Sequence, residues 1–221
     1  MNLTDTLLSE EWYWAAWAAW FLFFARSVRR APWGRLRDSE QMNVWLGMIV
    51  LLTLLWSLKA GVKPGLAMHL VGATVFTLSF GPHLAFVGLS LVTAGISLNG
   101  AAGPLAYGAN ALLTAGLGVA FSHFYYGLVV AWFPRHFFVY IFVNSFLGAA
   151  LTVVVLGLAS SLFLAMSGAY PWGYLADEYL PYFLLLAFSE AWLSGMMMTL
   201  FVIYRPGWVA SFDDARYLTD K

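Results

Sequence analysis

The chain contains no cysteine and little charge. The absence of cysteine excludes disulfide bonds, thiolate metal sites and thiol redox chemistry. Only 10% of the residues are charged, and the formal net charge is zero, which argues against nucleic-acid binding. The sequence also lacks a P-loop, and no catalytic serine–histidine or paired-carboxylate arrangement stands out. We therefore expect neither nucleotide hydrolysis nor any catalytic or cofactor-binding residue in this chain.

Apolar residues dominate what is present. The chain is 62% hydrophobic and 18% aromatic, with a mean hydropathy of +0.76, which is typical of an all-α integral membrane protein. We interpret the whole chain, residues 1–221, as a single transmembrane domain. Because a spanning helix needs about 20 apolar residues, the runs predict about seven transmembrane helices, at 12–29, 42–58, 65–81, 83–98, 107–132, 137–166 and 180–204. Gly81-Pro82 interrupts the third and fourth, which indicates broken or tilted helices.

The basic residues predict the orientation. Only Lys59 and Lys63 fall on one side of the predicted spans. The other side holds Arg26, Arg29, Arg30, Arg35, Arg37, Arg135, Arg205, Arg216 and Lys221. By the positive-inside rule, the N-terminus lies outside and the C-terminus in the cytoplasm. The first residues lack the basic region of a cleavable signal peptide, so we expect Met1 to keep a free amine at the outer face.

His69 is an ionisable residue in an apolar stretch, and such a residue is costly at membrane depth. Two interpretations of His69 are about equally supported at this point: a functional role, and a hydrogen bond to a neighbouring helix with no further role. Near it on the outer side, the candidate ligands are the Met1 amine, Asn2, Met68, Asn99 and Asn110. Amine, amide and imidazole nitrogens favour Cu(II) or Ni(II), and a thioether favours Cu(I). Turn formation by the two later asparagines and core packing by Met68 are the competing interpretations.

Glu190 is the second ionisable residue at membrane depth. It could act as a proton or metal group, or it could pair with a backbone donor or with His123. His83, His123 and His136 fall toward the inner side and cannot share a coordination shell with His69 unless a helix is broken. A membrane enzyme that uses these three histidines with Glu190 is a further hypothesis, although no catalytic spacing is visible.

Four stretches of the sequence carry a family resemblance. They are the opening Met1-Asn-Leu-Thr-Asp-Thr-Leu-Leu-Ser9, the segment Met68-His-Leu-Val-Gly-Ala-Thr74 with Phe80-Gly81-Pro82, the loop from Asn99-Gly100 to Gly108-Ala-Asn110, and Glu190-Ala191 with Arg205-Pro206. In order and spacing they resemble the membrane substrate-binding subunits of CbiM/NikM cobalt and nickel uptake systems of the energy-coupling factor type.

The resemblance implies a metal site. In that family the ion is held by the N-terminal amine, the amide and imidazole of the second residue, and the histidine of the internal motif. Met1 and His69 carry over as ligands, whereas Asn2 stands where the family has histidine. Met68, Asn99 and Asn110 would surround them. The transported ligand would be a divalent transition metal ion of the cobalt or nickel class, with copper and zinc as alternatives.

The resemblance also implies partners and a location. A transmembrane coupling subunit and ATP-binding cassette ATPases would energise uptake, in the lipid of a bacterial or archaeal inner membrane. We therefore predict a multi-pass permease subunit that captures a metal ion at its outer face. The alternative is a non-transport membrane protein on the same scaffold that assists assembly or stability of another complex, and Asn2 is the residue that favours it.

Overall fold

Charge and capping at helix ends explain where the first two helices begin and end. The helix α1 (Glu10–Arg30) has glutamates in its first turn and arginines in its last, which complements the helix dipole. The helix α2 (Ser39–Ser57) begins after Asp38, whose carboxylate accepts a hydrogen bond of 3.0 Å from the backbone N–H of Glu40. A 3-10 turn, Trp33–Arg37, joins the two helices.

The structure of the protein is a computed structural model that describes residues 2–61, 63 and 66–217. After α2 comes a short antiparallel hairpin, in which Ala60 pairs with Met68 and Gly61 with Ala67. We label its strands β1 (Ala60–Gly61) and β2 (Ala67–Met68). The later helices are α3 (Ala73–Leu98), α4 (Tyr107–Trp132), α5 (Val139–Met166), α6 (Trp172–Glu178), α7 (Leu180–Tyr204) and α8 (Asp214–Tyr217). Buried apolar residues from Leu3 to Tyr217 form one core.

The helices confirm the expected multi-pass membrane class. Within the described residues, four helices are long and apolar enough to cross a membrane, namely α3, α4, α5 and α7. The helices α1 and α2 also reach 21 and 19 residues. The count of seven spans and the direction in which the chain enters the membrane stay predictions. Among the regular secondary-structure elements of the described residues, only the two-residue strands are not helical.

The helix α3 folds back on itself at Gly81. That residue has φ 77° and ψ 168°, which is not helical, and Pro82 follows it. A straight helix would hold Phe76 and Gly88 about 18 Å apart, yet a side chain at Gly88 would overlap the Phe76 ring. The two arms of α3, residues 73–80 and 82–98, therefore turn back towards each other at Gly81, and the interruption predicted at Gly81-Pro82 is present.

The start predicted for the third span was wrong. A helix from residue 65 would place His69 on its first turns, but α3 begins at Ala73. Gly72, at φ 68°, lies in the left-handed region and ends the non-helical stretch. Ala67 and Met68 belong to β2 instead. His69 therefore lies on an irregular segment between the hairpin and α3.

Two ends of the bundle can be distinguished. At the amino-terminal end, Lys59 Nζ donates a hydrogen bond of 2.6 Å to the carbonyl of Ala101. At the opposite end, Arg35 donates to the carbonyls of Gly207 and Trp208. We call the end with Arg35 the arginine-rich end. The α1–α2 connection, the break in α3 and the segment after α7 lie there. The side chain of Arg216 and all of Lys221 lie outside the described residues.

The segment after α7 also completes the short arm of α3. The backbone N–H groups of Ala210 and Ser211 donate to the carbonyls of Ser79 and Leu78, at 2.9 and 3.1 Å. The last carbonyls of a helix have no partner within it. The arm ends in the protein interior. The two N–H groups therefore give its last carbonyls the hydrogen-bond donors that water would otherwise have to provide.

Replacing Gly81 by alanine should destabilise the protein. A Cβ there would meet nothing within 4 Å, so the effect is the backbone strain of a region that is almost restricted to glycine, about 1–3 kcal/mol. We expect a lower midpoint of thermal unfolding in detergent. Gly127→Ala is the control, because Gly127 lies on α4 with open space around it. Equal midpoints for the two variants would contradict this account of the break.

Candidate metal site at the amino-terminal end

The imidazole of His69 is buried and has a defined tautomer. Its exposed fraction is 4%, and its Nδ1 lies 3.0 Å from the carbonyl oxygen of Leu70. A carbonyl oxygen can only accept, so Nδ1 carries the proton in this hydrogen bond. The lone pair of the neutral ring is then on Nε2, the arrangement common in metal-binding histidines.

Trp56 of α2 holds the same segment from one side. Its ring lies against the imidazole, with ring centroids 4.5 Å apart and an interplanar angle of 33°. Its indole N–H donates a hydrogen bond of 3.1 Å to the carbonyl of Val71. Burial lowers the pKa of His69 well below its ordinary value. The ring is therefore neutral at neutral pH, which is the form that binds metals.

Glu190 fixes the other side of the segment. Its two carboxylate oxygens accept hydrogen bonds from the backbone N–H groups of Val71 and Gly72, at 2.7 and 2.6 Å. The Ser194 hydroxyl donates to the same carboxylate at 3.4 Å. Glu190 is 1% exposed, and a buried carboxylate needs such donors. Of the alternatives that the sequence left open, pairing with a backbone donor is the one that the structure shows.

The N-terminal segment is anchored at the start of α4. Asn110 accepts from the backbone N–H of Leu3 at 2.8 Å and donates to its carbonyl at 3.2 Å. The N–H of Gly103 donates to the same carbonyl at 3.1 Å. Asp5 adds a third anchor, since its carboxylate accepts from the N–H of Ala106 at 2.8 Å. Residues near the N-terminus are thus held against the loop before α4.

Asn2 lies inside this docked segment. It is 2% exposed, and neither its amide oxygen nor its amide nitrogen has a hydrogen-bond partner among the described residues. A buried amide without partners costs about 1–3 kcal/mol, so each such group calls for an explanation. Met1, the other predicted ligand of the N-terminal segment, lies outside the described residues.

A small cavity adjoins His69. Its volume is about 10 Å³, and its polar lining residues are His69, Thr114 and Ser160. That volume is close to the minimum for one water molecule, so the cavity suits a single small species. Thr114 follows Asn110 by one helical turn on α4. The anchor of the N-terminal segment and the cavity beside His69 are therefore about one turn apart along that helix.

The stretch of α4 that joins Asn110 to the cavity is not regular. Residues Ala111–Gly116 form a π-helical segment. Such segments are rare and occur frequently at functional sites. The irregularity gives α4 a local geometry of its own between the anchor of the N-terminus and the cavity.

The three remaining predicted site residues lie in different parts of the structure. Met68 belongs to β2, packs against the core and lines the cavity beside His69. Asn99 is exposed at the end of α3, where it caps the helix. Asn110 is the one of the three that supports the site, through Leu3. The roles of Asp5 and Trp56 escaped the sequence analysis, in which Asp5 appeared only within the opening stretch of the family resemblance.

The other histidines lie elsewhere. His83 Nδ1 is 3.5 Å from the Ser27 hydroxyl at the arginine-rich end. His136 lies in the α4–α5 connection, where its Nδ1 accepts from the N–H of Phe138. His123 is exposed on α4. Within the described ranges no three His, Asp or Glu side chains form a metal-binding group.

A protein-family model matches almost the whole chain. The model describes CbiM, the cobalt uptake substrate-specific transmembrane region, and it covers residues 2–208. The chain belongs to this family. As a CbiM-family member it is a membrane component of metal uptake and not an enzyme, so the enzyme hypothesis built on His83, His123 and His136 was wrong.

Solved structures agree with the CbiM fold. A truncated transition metal transporter superposes with a TM-score of 0.80 at 17% identity, covering 92% of this chain and 99% of the other. A second transition metal transporter gives a TM-score of 0.79 at 17% identity, covering 92% and 93%. At this identity the likeness concerns the fold alone. No curated protein shows significant sequence similarity to the chain.

Replacing Asn110 by alanine should release the N-terminal segment. The backbone N–H of Leu3 loses its partner, and the carbonyl keeps only the bond from Gly103. Amide hydrogen exchange in the peptide that begins at Asn2 should become at least about fivefold faster, the factor expected at the lower end of a loss of about 1–3 kcal/mol. Asn99→Ala is the control, since Asn99 is exposed. Unchanged exchange in the Asn110 variant would show that other contacts suffice.

Glu190→Gln should loosen the segment that carries His69. A glutamine side chain has one accepting oxygen, so the N–H of either Val71 or Gly72 loses its partner. Hydrogen bonds to charged groups contribute about 1.5–3 kcal/mol, and the midpoint of thermal unfolding should fall accordingly. Ser194→Ala removes only the 3.4 Å contact and should have a smaller effect. The reverse order of the two effects would contradict this role of Glu190.

Proposed function

We propose that this protein is the substrate-capturing membrane subunit of an uptake system for a divalent transition metal ion. The amine of Met1, Asn2 and the Nε2 atom of His69 are the proposed ligands. One observation carries the proposal: the buried His69 lines a cavity the size of one small species, about one helical turn from the anchor of the N-terminal segment.

The state of Asn2 supports its role as a ligand. Its buried amide lacks a partner among the described residues, and a bound ion would give the carbonyl oxygen one. An oxygen donor in place of an imidazole nitrogen makes the set harder and less basic. Amine and imidazole nitrogens still suit the later first-row metals. We propose cobalt or nickel as the substrate, with copper or zinc as alternatives.

The surrounding residues have unequal parts in this proposal. Asn110 positions the N-terminal segment, and Glu190 with Trp56 positions His69. Met68 neighbours His69 in sequence and lines the same cavity. Asn99, at the exposed end of α3, has no contact among the described residues that would bring it to the ion. Rigid supports of this kind matter because a metal site needs its ligands held in place.

The energy for uptake would come from other subunits. The chain has no P-loop, so we propose a transmembrane coupling subunit and ATP-binding cassette ATPases as partners. The arginine-rich end would face the cytoplasm of a bacterial or archaeal cell, by the positive-inside rule. The proposed site would then lie at the outer side of the inner membrane, where an incoming ion arrives first.

A second candidate function rests on Asn2. With one imidazole fewer, the donor set is weaker, and the same scaffold could assist assembly or stability of another membrane complex without binding metal. In that case the N-terminal anchors would serve stability alone. The two candidates differ in one measurable property, which is stoichiometric metal binding.

The test is metal binding by the purified full-length protein with an unmodified N-terminus. Cobalt, nickel, copper and zinc would each be titrated by calorimetry, and the retained metal measured by elemental analysis. We expect one ion per chain, and His69→Ala should weaken binding at least about 100-fold, since even loss of a supporting contact costs 10–100-fold. His136→Ala should leave binding unchanged, because His136 lies in the α4–α5 connection.

Two further outcomes distinguish the candidates. Asn2→Ala should weaken binding if the amide is a ligand, and should leave it unchanged if the amine and His69 suffice. Absence of binding for all four ions, in a protein whose thermal unfolding is cooperative, would exclude metal capture and favour the assembly role. Equal losses in the His69 and His136 variants would indicate unspecific binding to surface imidazoles.

A further inference from the structure

A groove opens at the arginine-rich end, and it shares no lining residue with the cavity beside His69. It runs between α1, the second arm of α3 and α4, and its volume is about 420 Å³. Its walls are largely apolar and are formed by Phe23, Pro82, Phe86, Leu112, Leu117 and Val119. Phe23 is 54% exposed, so the groove reaches the outer surface of the bundle. The volume falls within the range of about 300–1,000 Å³ that is usual for small-molecule sites.

One part of the groove is basic. Arg26, Ser27 and His83 line it together, and the Ser27 hydroxyl lies 3.5 Å from His83 Nδ1. Arg30 acts electrostatically on His83 from the same turn of α1. No lining residue is acidic. Among the described side chains the one ion pair joins Arg205 to Glu40, so neither arginine has a carboxylate partner there.

We propose that this groove binds an anionic phospholipid. The phosphate would contact Arg26, Ser27 and His83, and one acyl chain would lie along Phe23 and Phe86. Charge complementarity selects this occupant: a zwitterionic lipid adds no net negative charge, and a free anion leaves the apolar walls uncovered. Basic residues at a membrane surface attract anionic lipids in just this way.

The position of the groove gives the lipid a structural consequence. Pro82, the residue after the break in α3, is part of its wall. A bound acyl chain would therefore pack against the reversal between the two arms. Because the first arm starts directly after the segment that carries His69, the lipid would stabilise the support of that segment from the opposite end of the bundle.

Native mass spectrometry of the full-length protein tests this. The protein would be released from nanodiscs that contain equal amounts of phosphatidylglycerol and phosphatidylcholine. We expect one phosphatidylglycerol to remain bound and a loss of roughly fivefold in Arg26→Gln, the effect of one cation at a membrane surface. Arg29→Gln is the matched control, since it removes the same charge from the same helix but does not line the groove.

A second variant removes space and leaves the charge unchanged. Ala120 lines the groove and is exposed, so Ala120→Trp should fill it without disturbing the core, and lipid retention should fall. Three results would overturn the proposal: equal losses in the Arg26 and Arg29 variants, equal retention of the two lipids, or unchanged retention in Ala120→Trp. Displacement by inorganic phosphate alone would show an anion site, and would overturn it as well.

Discussion

The hydrogen bonds between the Glu190 carboxylate and the backbone N–H groups of Val71 and Gly72 are the constraint on which the site depends. A carboxylate in an apolar interior must be matched by donors, and here the donors come from the chain that precedes α3. The bonds set the depth of that chain, the residue at which α3 begins, and the place of His69 beside Trp56. A helix dipole whose positive end faces the carboxylate adds to the match.

Two segments far apart in sequence form the proposed site, and each is held by one polar side chain. Asn110 holds the N-terminal segment through Leu3, and Glu190 holds the segment with His69. Asn110 pairs with both the backbone N–H and the carbonyl of Leu3. Glu190 accepts from two backbone N–H groups. The residues that hold the two segments thus differ from the proposed ligands. Asn2 fits this division, since its amide makes no structural hydrogen bond among the described residues.

Hydrophobic runs and the Gly81-Pro82 pair were enough to predict the long helices and the reversal within α3. Their information is local: a glycine that can adopt φ 77° and a proline that cannot donate together end a helix. The start of α3 was not predictable in the same way. Residues 66–72 are as apolar as the residues of the neighbouring helices. The feature that keeps them irregular is the carboxylate of Glu190, more than a hundred residues later in the sequence.

The partner of Glu190 illustrates why part of the site escaped the sequence. Backbone N–H groups exist at every residue except proline, so a carboxylate that binds them leaves no sequence pattern at the partner position. Asn110 is similar, because its acceptor and donor are the backbone of Leu3. His69 was recognisable, since an imidazole in an apolar stretch is rare. Glu190 was recognisable for the same reason, whereas its partners and Trp56 were not.

The contacts of Ala210 and Ser211 have a consequence for biosynthesis. The short arm of α3 ends in carbonyls that these residues satisfy, and they are separated from that arm by more than half of the chain. During translation the first arm can enter the bundle only with those carbonyls unmatched or hydrated. The short arm therefore reaches its final hydrogen bonding late at the arginine-rich end, after nearly the entire polypeptide has left the ribosome. A chain truncated before residue 210 would keep the carbonyls of Leu78 and Ser79 without these donors.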